Sequence, residues 1–113
     1  MAKVDYFEIG SPDPATTKAF YEGVFGWEIE APQGPMPYNM VNGGDGGVWD
    51  TTDLGGGSYA IFYVNVDDVA ATVEKAVASG ASIVVPVTDN GQILFAHLAD
   101  PHGNRIGVWH PKA

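Results

Sequence analysis

One stretch of this chain occurs twice, and that repeat limits the fold more than any other feature. Asp13 to Gly26 and Asp67 to Gly80 have equal length, and each runs from a helix-capping Asp to a glycine suited to stopping a helix. Each follows a run of alternating residues and precedes further strand-like segments. The chain therefore reads as two copies of one β-α-β-β-β unit. With 113 residues, 45% of them hydrophobic, there is material for one real core and too little for two independent ones. The expectation is one domain of two modules, residues about 3–51 and about 58–111.

The first module opens on Val4 to Ile9, where Phe7 and Ile9 share one face and Tyr6 and Glu8 the other. Such alternation fits a strand covered on one side only. Asp13 caps a helix with Pro14 at its first position, where the missing N–H costs nothing. Phe20 and Val24 lie four apart on one helical face, and Gly26 supplies the left-handed residue at the end. A strand over Trp27 to Ala31 is expected next, then a proline loop from Pro32 to Pro37. Two short strands follow, Tyr38 to Val41 and Gly47 to Asp50, separated by an Asn42-Gly-Gly-Asp-Gly turn.

Thr51 to Ser58, with three consecutive glycines, reads as a connector inside the domain. The second module begins at Tyr59 to Val66, with Phe62, Val64 and Val66 on one face and Ile61, Tyr63 and Asn65 on the other. Asp67 or Asp68 caps its helix, whose buried stripe is Val69, Val73, Ala76 and Val77, and Gly80 ends it. Strands are predicted over Ser82 to Val87, Ile93 to Leu98 and Asn104 to His110, the last two joined by the turn Asp100-Pro-His-Gly. The fold class is α+β: two βαβββ modules whose eight strands form a curved mixed sheet, a cup with the helices on its outer face. The inner face is the informative one, since concave surfaces of mixed polar and aromatic character bind small ligands.

Charge and composition remove several functions. Fourteen acidic residues against five basic ones leave a formal charge of −9 and no basic cluster. Nucleic acid and anionic membrane are thereby disfavoured as partners, because both are held by Lys and Arg. There is no cysteine, so neither disulfides nor thiolate metal sites form. No apolar leader or membrane-length apolar run occurs, and a soluble cytoplasmic protein is expected. The glycine-rich stretches Gly43 to Gly47 and Gly55 to Gly57 do not lead into helices, which disfavours nucleotide binding.

Phe7-Glu-Ile, Asp13, Phe20-Tyr21, Phe25-Gly26-Trp27-Glu28, Val66-Asp-Asp-Val69, Gly80 and Asp100-Pro-x-Gly103-Asn104 stand in an order and spacing that covers nearly the whole chain. In this it resembles the vicinal oxygen chelate superfamily, which includes glyoxalase I, bleomycin-resistance proteins and extradiol dioxygenases. The resemblance implies paired βαβββ modules, a homodimer and, in the metalloenzymes, a divalent ion that chelates two adjacent substrate oxygens. It also implies where His or Glu ligands would stand. Those positions hold Tyr6, Ile61, Gly107 and, in a register left open, Trp49 or Asp50. With Asp50 and His97 as the only weak donors, no metal or other cofactor is expected.

The leading expectation is a metal-independent small-molecule-binding protein of the glyoxalase/bleomycin-resistance type. Its small organic ligand would lie in an aromatic cup walled by Tyr6, Trp49, Tyr63 and Trp109. Glu8, Ile61, Arg105 and Gly107 complete the expected ligand-binding set. Glu8 either orients the ligand or pairs with Arg105, the pair being the preferred reading. Arg105 would share the inner face of the last strand with Gly107 and Trp109, and could hold an anion. Gly107 leaves room that a ligand, Trp109 or Trp49 could fill. The alternative is an enzyme of the same superfamily, a lyase, isomerase or dioxygenase, with a relocated metal site or with Tyr6 and His97 as catalytic acid and base. For His97 a structural role is the competing reading. A third is a module whose cup is filled by its own side chains.

Overall fold

The computed structural model describes residues 2–32, 34, 36–54 and 57–112. Among these it forms strands β1 (Lys3–Ser11), β2 (Tyr38–Val41), β3 (Gly46–Asp50), β4 (Tyr59–Asn65), β5 (Ser82–Asp89), β6 (Ile93–Ala99) and β7 (Arg105–Pro111). Helices α1 (Pro14–Phe25) and α2 (Val69–Ala78) follow β1 and β4. The fold is α+β, as the repeat requires. Gly55 and Gly56 of the connector, and Gln33 and Pro35 of the proline loop, lie outside the described residues. No helix among the described residues is long and apolar enough to cross a membrane.

The chain divides into two compact units, Tyr6–Ala60 and a second made of Ile61 onward together with the residues up to Asp5. In the first, β3 lies between β2 and β1, antiparallel to β2 and parallel to β1. In the second, the order is β4-β7-β6-β5, with β4 and β7 parallel and the other pairs antiparallel. Each unit thus sets its last strand parallel to its first. The crossover needed for that is supplied by the helix and the strands after it.

Local signals place the helix ends. Asp13 accepts a hydrogen bond from the Thr16 N–H at 3.3 Å, and Asp68, the second of the two candidate caps, accepts one from the Ala71 N–H at 3.0 Å. Each cap satisfies a backbone donor that the first helical turn would otherwise leave without an intrahelical partner. Gly26 closes α1 in the left-handed conformation with φ of 70°, and its N–H donates to the Glu22 carbonyl. Only a residue without Cβ takes that geometry at little cost.

The two helices bury different amounts. α2 lays Val69 and Val73 onto Val66, Ala96, Leu98 and Val108, with Val64, Ala76, Leu94 and Ile106 packed around them. Val77 does not join this stripe; it is 45% exposed, so the buried face is narrower than its spacing predicts. α1 buries no residue fully. Phe20 and Val24 are 55% and 59% exposed, on the outward face. Tyr21 is the residue that turns inward, stacked on Trp27 with ring centroids 5.1 Å apart, while Trp27 also meets Phe7 at 5.3 Å. These rings cover a small core of Ile29, Val41 and Val48. The rotation of α1 about its axis is therefore set by the Tyr21–Trp27 stack and not by the Phe20–Val24 pair.

The expected strand over Trp27 to Ala31 is reduced to a single bridge, Ile29 to Val41. The bridge keeps two ladder bonds, Glu30 N–H to the Met40 carbonyl at 2.9 Å and Asn42 N–H to the Glu28 carbonyl at 2.7 Å, and side chains take the next donors. Ile29 N–H donates to the Glu22 carboxylate at 3.0 Å, and Glu28 N–H donates to Asn42 Oδ1 at 2.9 Å. Pro32 then prevents continuation, since it brings no N–H.

Candidate functional site

Both units present one sheet face to their helix and another away from it, and the second kind carries the candidate residues. In the first unit Phe7, Ile9 and Val48 face α1, so Tyr6, Glu8, Gly47 and Trp49 point the other way. Register sets Glu8 beside Gly47 and Gly10 beside Trp49 on β1 and β3, with Met40 and Tyr38 next to Gly47 and Trp49 on β2. A Cβ at Gly47 would collide with the ring and hydroxyl of Tyr38, and one at Gly10 with the ring of Tyr59. Glycine is required at both positions because a tyrosine ring lies flat over the backbone there.

These tyrosines meet the residues singled out from the sequence. The Tyr59 hydroxyl donates to Glu8 Oε2 at 2.6 Å, and Glu8 is only 3% exposed. A carboxylate so enclosed needs donors, and a phenol is a suitable one. Tyr6 and Tyr38 share a hydrogen bond between hydroxyls at 2.7 Å, and the Tyr6 hydroxyl also reaches Met40 Sδ at 3.8 Å. Burial pushes the Tyr6 phenol up to about 12, its bond to Tyr38 pulling the other way and the Glu8 charge adding to the rise. Tyr38 is pushed up further, by burial first and then by the charge of Glu8.

Alkaline titration will therefore find phenols that resist ionisation. The folded pKa of Tyr6 lies above the usual value of 10.0, so its folded state holds the proton longer than the unfolded chain does. Stability from this group is complete below about pH 10 and falls as pH rises toward about 12. Phenolate absorbance at pH 11 should show Tyr6 and Tyr38 still protonated while the chain stays folded. Simultaneous ionisation of all tyrosines without unfolding would contradict this arrangement.

In the second unit Val64, Val66, Ile106 and Val108 face α2, which leaves Ile61, Tyr63, Arg105, Gly107 and Trp109 on the other face with Phe95 and His97. Tyr63, Gly107 and His97 stand side by side on β4, β7 and β6. The tyrosine ring occupies the space that a Cβ on Gly107 would need, 2.6 Å from Tyr63 Cε2. The room next to the backbone is thus filled by the Tyr63 ring. Crossing β7 in this way, the Tyr63 hydroxyl meets His97 Nε2 at 2.5 Å. The other ring nitrogen, Nδ1, accepts from Arg105 Nε at 3.2 Å and Nη2 at 3.0 Å. His97 is wholly buried and Tyr63 is 4% exposed. Ile61 is also buried, and Trp109 Nε1 donates to Asp5 at 2.9 Å.

The structure thus brings Tyr6 and Glu8 onto one face of the first unit, with Trp49 at its register position. It groups Tyr63, His97, Arg105 and Gly107 in the second. Sequence reasoning missed Tyr38 and Tyr59. The available signal was the pair of strand glycines, Gly47 and Gly10, since a glycine inside a strand often marks a close approach.

The donor set does not fit a divalent ion. Tyr6 keeps its proton, Ile61 is aliphatic, and Gly107 has no side chain and lies under a tyrosine ring. Asp50, at the end of β3, accepts from Thr52 N–H at 3.0 Å and from its hydroxyl at 2.6 Å, which holds its carboxyl below the usual range. Among the described residues no group of three His, Asp or Glu side chains stands where it could hold a metal ion.

Two units that each run strand, helix and further strands, the last returning parallel to the first, with polar and aromatic groups on the faces away from the helices, define a glyoxalase-like class of α+β protein. The chain belongs to the Glyoxalase/Bleomycin resistance protein/Dioxygenase superfamily, whose family model matches residues 3–108. Among curated relatives, CFP32 of Mycobacterium tuberculosis, whose name assigns it provisionally to the glyoxylases, is 28% identical over 93% of this chain and 44% of its own length. This chain accordingly spans less than half of that relative. A glyoxylase-like domain-containing protein of Didymella fabae is 29% identical over 94% of this chain and 91% of its own. Among solved structures, a hypothetical protein of Bacillus halodurans superposes with a TM-score of 0.65 at 13% identity, covering 99% and 96% of the two chains. Streptomyces coelicolor methylmalonyl-CoA epimerase, in complex with 2-nitronate-propionyl-CoA, gives 0.62 at 17% identity, covering 98% of each. At these identities the likeness is one of fold.

Proposed function

We propose that this chain is a small-molecule-binding protein of the glyoxalase/bleomycin-resistance type that holds an organic ligand without a metal ion. The observation that carries the reading is at Gly107, where the resemblance implies a metal-ligating Glu. That place is taken by the ring of Tyr63, itself hydrogen-bonded to a buried histidine. Tyr6, at the implied position of a ligating His, supports it further, because a phenol with a pKa near 12 is a poor ligand at neutral pH. What remains on the non-helical faces is suited to flat organic molecules: aromatic rings that stack and hydroxyls that orient.

The test is a titration of tryptophan fluorescence with flat aromatic acids and ketones, first with chelator present and then after the chelator has been removed by desalting. Saturable quenching is expected, unchanged when zinc, nickel, manganese or iron is added. Quenching that appears only with one of these ions, or near-stoichiometric metal in elemental analysis of the isolated protein, would overturn the reading.

A further inference from the structure

The buried group Arg105–His97–Tyr63 has a direction. Guanidinium nitrogens only donate, so His97 Nδ1, which faces both Nε and Nη2 of Arg105, must present its lone pair. A proton on Nδ1 would set N–H against N–H in a site with no water contact, since His97 is 0% exposed. The ring therefore carries its proton on Nε2 and donates it to the Tyr63 oxygen. An oxygen that accepts from His97 turns its own proton elsewhere. We propose that His97 is a positioning residue and not an acid–base group. Arg105 fixes its tautomer, and the tautomer fixes the Tyr63 hydroxyl as a donor directed away from β6.

The strand register makes this arrangement specific. β4 and β6 are not neighbours; β7 runs between them, and strands lie about 4.8 Å apart. Tyr63 reaches His97 only by lying across β7, and it can do so only because position 107 has no Cβ. Gly107, Tyr63, His97 and Arg105 thus form one device, in which a gap in β7 lets a phenol on β4 be oriented by an imidazole on β6. Base chemistry at His97 is excluded by the same geometry. Its one lone pair is directed at a permanent cation, and its N–H is spent on Tyr63. Use of the Tyr63 hydroxyl as a donor to a ligand rests on the function proposed above, whereas the tautomer does not.

Spectra of the histidine ring nitrogens in ligand-free protein test the inference directly. Long-range proton–nitrogen correlations, with His97 assigned by its loss in His97→Gln, should show Nδ1 unprotonated and Nε2 protonated at neutral pH. A protonated Nδ1, or a mixture of tautomers, would overturn it. His97→Gln and His97→Leu give a second readout. The glutamine amide can accept from Arg105 and donate to Tyr63, so its thermal midpoint should stay near that of the parent. The leucine variant should melt about 10 °C lower or fail to fold. Equal loss in both variants would remove the polarity argument. Absence of aromatic ligand binding with the expected tautomer present would instead remove the function proposed above and leave this assignment standing.

Discussion

Replacing Gly107 by valine is expected to destabilise the chain by about 3 kcal/mol. The new Cβ would stand 2.6 Å from Tyr63 Cε2 and 2.7 Å from Cδ2 and Cζ, well inside contact distance. The ring has little room to yield, since Tyr63 is 4% exposed and its hydroxyl is held by His97. Overpacking accounts for about 1–3 kcal/mol. Pushing the ring aside also deprives a buried imidazole of its partner, roughly another 1–3 kcal/mol. Thermal unfolding followed by circular dichroism should show a midpoint about 12 °C lower for a domain of this size. Tyr63→Leu in the same chain should recover part of the loss, because it removes the ring that the new side chain meets. Gly107→Glu would meet the same ring, so a single substitution should not restore a metal site. A Gly107→Val protein as stable as the parent would show that Tyr63 does not lie over β7.

The second large effect lies on the opposite face of the second unit. Leu98 is 2% exposed and packs with Val66, Val69, Val73, Ala96 and Val108 beneath α2. Truncation to alanine should cost about 3–4 kcal/mol, the transfer of the lost carbons plus the cavity left behind. Val24→Ala on α1, at a position 59% exposed, should change stability by no more than about 0.5 kcal/mol. Urea denaturation of the two variants measures the contrast. Comparable losses would mean that the outward face of α1 is covered in solution, so the result also reports on association.

That contrast between the helices marks the boundary of what could be read in advance. Both helices were legible from local chemistry: Asp13 before Pro14, Gly26 after Phe25, and Asp68 before the Val69–Val73 stripe each act within one turn of the chain. Which face of α1 is buried was not legible. Phe20 and Val24 have the spacing of a buried pair, yet Tyr21 is the residue that stacks on Trp27. The rotation of a helix on its sheet depends on a ring beyond its own end, and spacing within the helix holds no record of it. The missing strand at Trp27 has a similar cause. The Asn42 side chain takes the Glu28 N–H that a longer ladder with β2 would use, a competition between side chain and ladder that hydrophobic alternation does not reveal.

The candidate site divides along the same line. Alternation alone placed Glu8 with Tyr6, and Arg105 with Gly107 and Trp109, away from the helices, because side chains of a strand must point to opposite faces in turn. Composition and the identities of Tyr6, Ile61 and Gly107 were sufficient to doubt a metal centre. Partnership was decided only by the tertiary structure. Tyr59 is 51 residues from the Glu8 it caps, and Tyr63 is 34 from His97. Such pairs are created by register between strands and by rings that lie over glycines, so they exist only once the sheets have formed. The repeat determined the two helices and, apart from the strand expected at Trp27, the strands and their order, since those depend on neighbours in sequence. The polarity of the Arg105–His97–Tyr63 chain came from packing, because a tautomer is chosen by whichever groups the fold brings to the two sides of the ring.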